Sequence, residues 1–348
     1  MKKIIYSVGI CLVATQIHAQ VVNRTDFYIG EGAVVSFGQD VINEGKITNN
    51  GKIHLQANIN NNGAIASKGE VVFDGINKQT IRGEKEMALA NVKLENDVRL
   101  ETSLRVTEQM NFRRGVVEST NQAPIVFENG AKHSGGSDYS HVRGVIKKEG
   151  GSAFEFPLGD GTNYRSFMTD DADNQTLIAE YVAKSPLNVS GVVQENVVAI
   201  NETEYWSLRS DALASARVSI SNSSDLSEIA FLKRGTWEVK EDAKIAASNN
   251  GTLFTLARSR NEKPAIGVWP NPTEGEFNLK LTGLKSDEMV TVNVTDQAGV
   301  VVLKKEGRVA DLRRAYEVPS TLAAKELNII VTRGDNEKPL YQKLFLNK

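Results

Sequence analysis

Three histidines, His54, His133 and His141, are the side chains past the first twenty residues best suited to ligating a metal or moving a proton near neutral pH. His133 and His141 flank Gly135-Gly136, with Asp138 between them. A metal centre needs two or three such ligands converging, with further groups to orient them. The spacing neither demands nor forbids this, and the expectation is no metal: polar loop residues at 133 and 141, and a solvent-facing strand residue at 54. The run Thr169-Asp170-Asp171-Ala172-Asp173-Asn174 could gather oxygen ligands for calcium. It lacks the turn glycine and distal glutamate of a calcium-binding helix-loop-helix, so a solvated acidic loop is expected. Gly159-Asp160-Gly161-Thr162-Asn163 reads as a turn first and a ligand second.

Catalytic patterns are equally thin. Gly150-Gly151-Ser152 is followed by Ala153-Phe154 and does not make a nucleophile elbow. No glycine-rich phosphate loop leads into a helix. Paired carboxylates for glycoside cleavage are brought together by a fold and not by spacing, and no pair stands out. The single cysteine, Cys11, is either a lipid-attachment site behind the bulky Ile10 or, the expected reading, a small apolar residue in a discarded segment. Without it the chain has no thiol for a disulfide, a thiolate ligand or a nucleophile. The expectation is a protein with no catalytic residues, no cofactor and no enzymatic activity.

A chain of 348 residues, 40% hydrophobic and 24% charged, has the composition of a soluble globular protein with two or three domains. Its formal charge of −2, which becomes −4 without Lys2 and Lys3, gives no pull toward nucleic acid. The basic residues are dispersed, without interleaved aromatics. Residues 1–19 have a positive start, an apolar run from Ile4 to Thr15 and a small residue at Ala19, the layout of a secretory signal peptide cut after Ala19. That run is short for a membrane span, and no second candidate follows.

Residues 20–135 carry an approximate repeat. Asn43-Glu44-Gly45, Asn49-Asn50-Gly51, Asn61-Asn62-Gly63 and Ser67-Lys68-Gly69 each lead into a short alternating strand. Asn and Gly tolerate the positive φ of tight turns. Such strands bury a face either by stacking as a β-solenoid or by pairing as a meander of hairpins, and the pattern allows both. Residues 136–262 hold strands at about ten-residue spacing, expected to form an antiparallel β-sandwich with Trp206 and Trp237 in its core. Residues 263–348 alternate cleanly at Phe277–Leu281 and Val290–Val294 and fit a small Ig-like sandwich of about seven strands. The chain is all-β.

The last block opens with Pro270-Asn271-Pro272-Thr273-Glu274-Gly275-Glu276-Phe277 and continues through Asp296-Gln297-Ala298-Gly299. Two prolines fix φ and withhold donors, so Trp269–Pro272 is expected to enter as a stiff extended segment, with Gly275 permitting the next turn. At these residues the block resembles the type A C-terminal sorting domain of proteins exported by the type IX secretion system of Bacteroidota-like bacteria. The family's Pro-Asn-Pro-x-x-Gly-x-Phe motif falls on Pro270, Asn271, Pro272, Gly275 and Phe277, and its Asp-x-x-Gly turn on Asp296 and Gly299. Where the family has Gly-x-Tyr before its penultimate strand, this chain has Lys325-Glu326-Leu327-Asn328. The resemblance implies outer-membrane type IX components as partners and a cell-surface or secreted destination. It leaves two roles: a non-catalytic adhesive or structural surface protein, touching envelope proteins or glycans, or an accessory subunit of the translocon or of a gliding-motility complex.

Overall fold

The computed structural model describes residues 20–347 except 171–174, 221–225, 241–242, 261–263, 285–286, 320–321, 323–324 and 335–336. The N-terminal region is a three-faced β-solenoid. Its first face is a ladder of seven strands: Gln20–Asn23, Asp40–Asn43, Ile59–Asn61, Gln79–Arg82, Val98–Leu100, Gly115–Glu118 and Ser140–Arg143. All six pairings in it are parallel. Parallel pairing rules out the meander of hairpins here, because a hairpin joins antiparallel neighbours. The second and third faces begin as separate strands, Asp26–Ile29 and Val34–Phe37, then Lys46–Asn49 and Lys52–Leu55. Over the next three rungs they fuse into the bent strands Ala64–Phe73, Met87–Leu94 and Leu104–Phe112.

The Asn-x-Gly units are corners of this solenoid. Gly45 and Gly51 turn two corners of one rung, and Gly63 and Gly69 the same two corners of the next, so two sequence units make one rung. The glycines at 45, 51, 63 and 69 are not in the positive-φ region, contrary to the tight-turn expectation. They are needed for room: a Cβ on Gly63 would lie 2.0 Å from the Gly45 carbonyl oxygen, and one on Gly69 1.9 Å from that of Gly51. The asparagines point inward and bond along the stack. Asn23 Nδ2 donates to Asn43 Oδ1 at 2.9 Å, and Asn43 Nδ2 to Asn61 Oδ1 at 2.8 Å. Asn43 and Asn61 are fully buried, and this ladder satisfies amides that would otherwise cost about 1–3 kcal/mol each. Inside, Val35, Ile53, Val71, Val92 and Met110 are register partners in one column, and Phe37, Leu55, Phe73, Leu94 and Phe112 in another. Each fully buried aliphatic or aromatic contributes about 1.5–3 kcal/mol.

Parallel pairing ends at Val145–Lys148, which lies parallel to Ile125–Phe127 on one side and antiparallel to Leu177–Val182 on the other. The same sheet then continues through Tyr205–Ser210, Thr252–Ser259, Glu228–Lys233 and Thr236–Val239 as antiparallel strands. A second antiparallel sheet holds Phe154–Phe156, Phe167–Thr169, Ala214–Ile220 and Lys244–Ala247. Rings join the solenoid to these sheets: Phe127, Phe154, Phe156, Phe167 and Phe254 follow one another at centroid separations of 4.8–5.1 Å. One cluster of buried side chains accordingly runs from Ile29 to Leu256. Trp206 and Trp237 are fully buried, their indole N–H groups donating to Arg165 O at 2.8 Å and Ser190 O at 3.0 Å.

The C-terminal region has its own core, from Phe277 to Leu346. Ala265–Trp269, Glu276–Thr282 and Ala315–Glu317 form one antiparallel sheet. Val301–Arg308, Met289–Thr295, Glu326–Arg333 and Leu340–Phe345 form the other. Helix among the described residues is limited to the turns Val309–Leu312 and Pro186–Asn188, and no helix is long and apolar enough to cross a membrane.

Candidate functional site

The residues of the sorting-type motif occupy two places in the C-terminal sandwich. Pro270–Pro272 is a bend and not the extended segment expected of it, and both of its X–Pro peptide bonds are cis. The bend brings Asn271 onto the last strand: its Oδ1 accepts from Phe345 N at 2.8 Å and its Nδ2 donates to Lys343 O at 2.8 Å. Thr273 continues the attachment, pairing with Leu346 as an isolated bridge, and its hydroxyl accepts from Gly275 N at 3.2 Å. Gly275 has φ +139°, which a side chain would rarely adopt. Phe277 then drops into the core, its ring stacked on Tyr316 at 5.6 Å. The motif is thus a clasp, in which the first strand of the domain is tied to the last.

Asp296 and Gly299 lie elsewhere, in the hairpin between Met289–Thr295 and Val301–Arg308. Asp296 Oδ1 accepts from Val300 N at 2.8 Å, its carbonyl accepts from Gly299 N at 3.1 Å, and Gly299 has φ +84°. The strand order in that sheet separates this hairpin from Leu340–Phe345 by the strand Glu326–Arg333. Beside the clasp, a groove of about 440 Å³ is lined by Pro270, Thr273, Gly275, Phe277, Asn278 and Val318, among others. Residues 267–318 match the family described as Secretion system C-terminal sorting domain.

It is a type IX sorting domain. Such a domain marks a type IX cargo, and it implies recognition by that machinery and export across the outer membrane to the surface or the medium. A search of curated proteins finds no match. The matched stretch of the sorting domain ends before Glu326–Arg333, so the departure at Lys325–Asn328 lies outside it. That strand forms without the Gly-x-Tyr, with Leu327, Ile329 and Val331 all buried.

The remaining sequence candidates do not converge. His54 Nδ1 lies 2.6 Å from Asp74 Oδ2, a half-buried pair on the third face and not a free solvent-facing side chain. His133 is not a loop residue either: it lies on the strand Lys132–Ser134, its ring among those of Phe112, Phe127 and Phe154. His141 is fully buried, with Nδ1 2.9 Å from Ser137 O and Nε2 accepting from Gly161 N at 2.9 Å. A carbonyl only accepts, so Nδ1 carries the proton and both ring nitrogens are occupied. Among the described residues no group of three or more acidic, histidine or cysteine side chains is placed to hold a metal. Asp160 is a turn residue, accepting from Thr162 N at 2.7 Å and Asn163 N at 2.7 Å. Burial pushes its carboxyl up, but the bonds from Asn163 and Thr162 outweigh that and hold it well below the ordinary carboxylate range. Asp170 accepts from Arg217 N at 2.6 Å, while Asp171 and Asp173 lie outside the described residues.

Two groupings escaped the sequence. Glu204 is nearly buried and accepts from Arg165 Nε at 2.9 Å and Tyr181 Oη at 2.7 Å, an ion pair locked into the sandwich. Lys78, Arg99 and Arg143, dispersed in the sequence, gather around Glu118 on the first solenoid face. With Glu118 between Arg99 and Arg143, the numbering advances by roughly one rung at a time, a signal legible only once the rung length is known.

Proposed function

We propose that this chain is a non-catalytic surface protein whose solenoid is a rigid platform for adhesion or assembly, delivered by its sorting domain. Residues 1–19 would take it through the inner membrane, and the sorting domain through the outer one. The observation that carries the reading is the pairing of a type IX sorting domain with a solenoid of three long faces on one continuous core. Parallel rungs at a fixed spacing of about 4.8 Å present side chains in regular rows, which suits recognition of an extended partner by shape and charge. The test is fractionation of cells that produce the full chain or a chain lacking residues 264–348, followed by adhesion assays. The full chain is expected at the surface or in the medium and the shortened chain in the periplasm. Surface delivery of the shortened chain would overturn the sorting assignment, and delivery without any attachment phenotype would overturn the adhesive role.

The second reading, an accessory subunit of the envelope machinery, draws on Lys325–Asn328, where the family's Gly-x-Tyr is absent. A chain purified with Lys348 in place and bound to outer-membrane translocon components would favour it. Recovery of a chain cut near Pro264 would favour a released cargo.

A further inference from the structure

We infer that the outer side of the first solenoid face binds an anionic polysaccharide through Lys78, Arg99 and Arg143, which surround Glu118. The inference rests on the surface-protein reading above and names the class of ligand. Glu118 has Arg99 and Arg143 as its register partners on the two neighbouring rungs. Lys78 Nζ lies 2.7 Å from Glu118 Oε1, Arg99 Nε 3.1 Å from Oε2 and Arg143 Nη2 3.4 Å from Oε1. One carboxylate therefore serves three cations, and the cluster keeps a surplus of two positive charges. The carboxylate lies low, its side chain 17% exposed, while the cations stand out at 41% for Lys78 and 56% for each arginine. Burial pushes Glu118 up, but Lys78 and Arg99 outweigh it, so the carboxylate stays ionised and anchors all three. Arg99 uses only Nε, and among the described residues its terminal nitrogens have no acceptor.

An exposed ion pair contributes about 0–1 kcal/mol, and one carboxylate offsets one of the three cations, so ion pairing alone does not account for the other two. On the second face the local balance differs, with Arg105 Nε 2.6 Å from Glu86, and its Nη1 2.7 Å from Glu149 and 3.6 Å from Glu128. Arg99 and Arg143 are two rungs apart, about 10 Å along the solenoid axis. Their heads nevertheless converge on the one carboxylate, so they present a compact cationic patch that an anionic group meets from the solvent side. Guanidinium groups donate to carboxylate or sulfate oxygens two at a time, which covers uronate and sulfate polymers alike. Tyr139, 81% exposed just ahead of the strand that bears Arg143, offers a ring for a sugar face.

The test measures binding of the purified chain to immobilised polygalacturonate, dextran sulfate and uncharged dextran across a salt series. Melting curves check folding, and light scattering checks the oligomeric state. Binding to one or both charged polymers, weakening with salt, and none to dextran is expected. The polymer that binds tells uronate from sulfate recognition. Arg99→Ala with Arg143→Ala should weaken binding about tenfold or more, and Glu118→Gln should tighten it severalfold by removing the one opposing charge. Glu118 as a purely structural residue predicts the reverse sign. Binding to neither charged polymer, folded variants without effect, tighter binding of duplex DNA, or occupation of this face by a second copy would each overturn the inference. Loss of polysaccharide binding with cell adhesion intact would sink this site and leave the adhesive reading standing.

Discussion

His133 shows how one side chain can carry a pH dependence that its sequence neighbours hide. It extends the column Val92–Met110 of the solenoid interior, being the register partner of Met110. Its Nε2 lies 2.7 Å from Glu155 O, a carbonyl, so Nε2 bears the proton, and Nδ1 is buried without a partner. Protonation would place a second N–H, and a charge, among three phenyl rings with no acceptor. Burial holds the imidazole below its ordinary 6.5, with Glu155 opposing only in part. The unfolded chain takes up a proton before the folded one does, so this contribution to stability is complete above 6.5 and is lost as the pH falls below it. The melting temperature is expected to fall between about pH 7.5 and about pH 5, and to fall less in His133→Leu. Parallel pH curves for the two proteins would refute the assignment. The neighbouring Lys148 is buried too, its Nζ donating to Glu128 O at 3.0 Å and lying 5.6 Å from the Phe154 ring centre, so a second charge would be poorly placed.

At the scale of the element, the rung corner sets what the solenoid tolerates. Gly63→Ala puts a methyl 2.0 Å from the Gly45 carbonyl oxygen, which is backbone and cannot swing away. The rungs must separate there, straining the Asn43–Asn61 bond of the same corner, and a loss of about 1–3 kcal/mol or more is expected. Gly38→Ala is the matched control, because its Cβ would meet only the Gln56 side chain at 3.7 Å and its φ is not positive. Thermal melts of the two variants should differ clearly, with Gly38→Ala close to wild type; equal melts would mean that the corner relaxes. The sequence showed that these glycines matter but gave the wrong reason, since the tight approach is between rungs and not within a turn.

For the molecule as a whole, the two large buried clusters divide the chain in two, and a small third one, Ala230, Trp237 and Ala257, lies within the middle sandwich. Solenoid and middle sandwich share the cluster that runs from Ile29 to Leu256, and the sorting domain keeps a separate one. Lys280 Nζ links the two, donating to Leu226 O at 2.7 Å. Calorimetry of the full chain is expected to show two transitions, with the sorting domain melting independently of a single solenoid–sandwich unit. Removing residues 264–348 should delete one transition and leave the other nearly unmoved. A solenoid that melted apart from the sandwich would contradict the aromatic chain from Phe127 to Phe254 as a structural joint.

The sequence by itself determined the all-β class, the sorting domain and the register-bearing repeats. Each rests on local information: strand alternation, a short motif, a recurrent Asn-x-Gly. It left solenoid and hairpin meander undecided, because strand direction is set by which segments pair and not by the segments themselves. It read Trp269–Pro272 as extended, because the fastening of Asn271 to Lys343 and Phe345 joins residues more than seventy positions apart. It placed His133 in a loop, because the Phe112, Phe127 and Phe154 rings that enclose it come from three other strands. Only stacking brought Lys78, Arg99 and Arg143 onto one carboxylate, since a charge cluster is a property of neighbouring rungs, and rungs become neighbours only when the chain has wound.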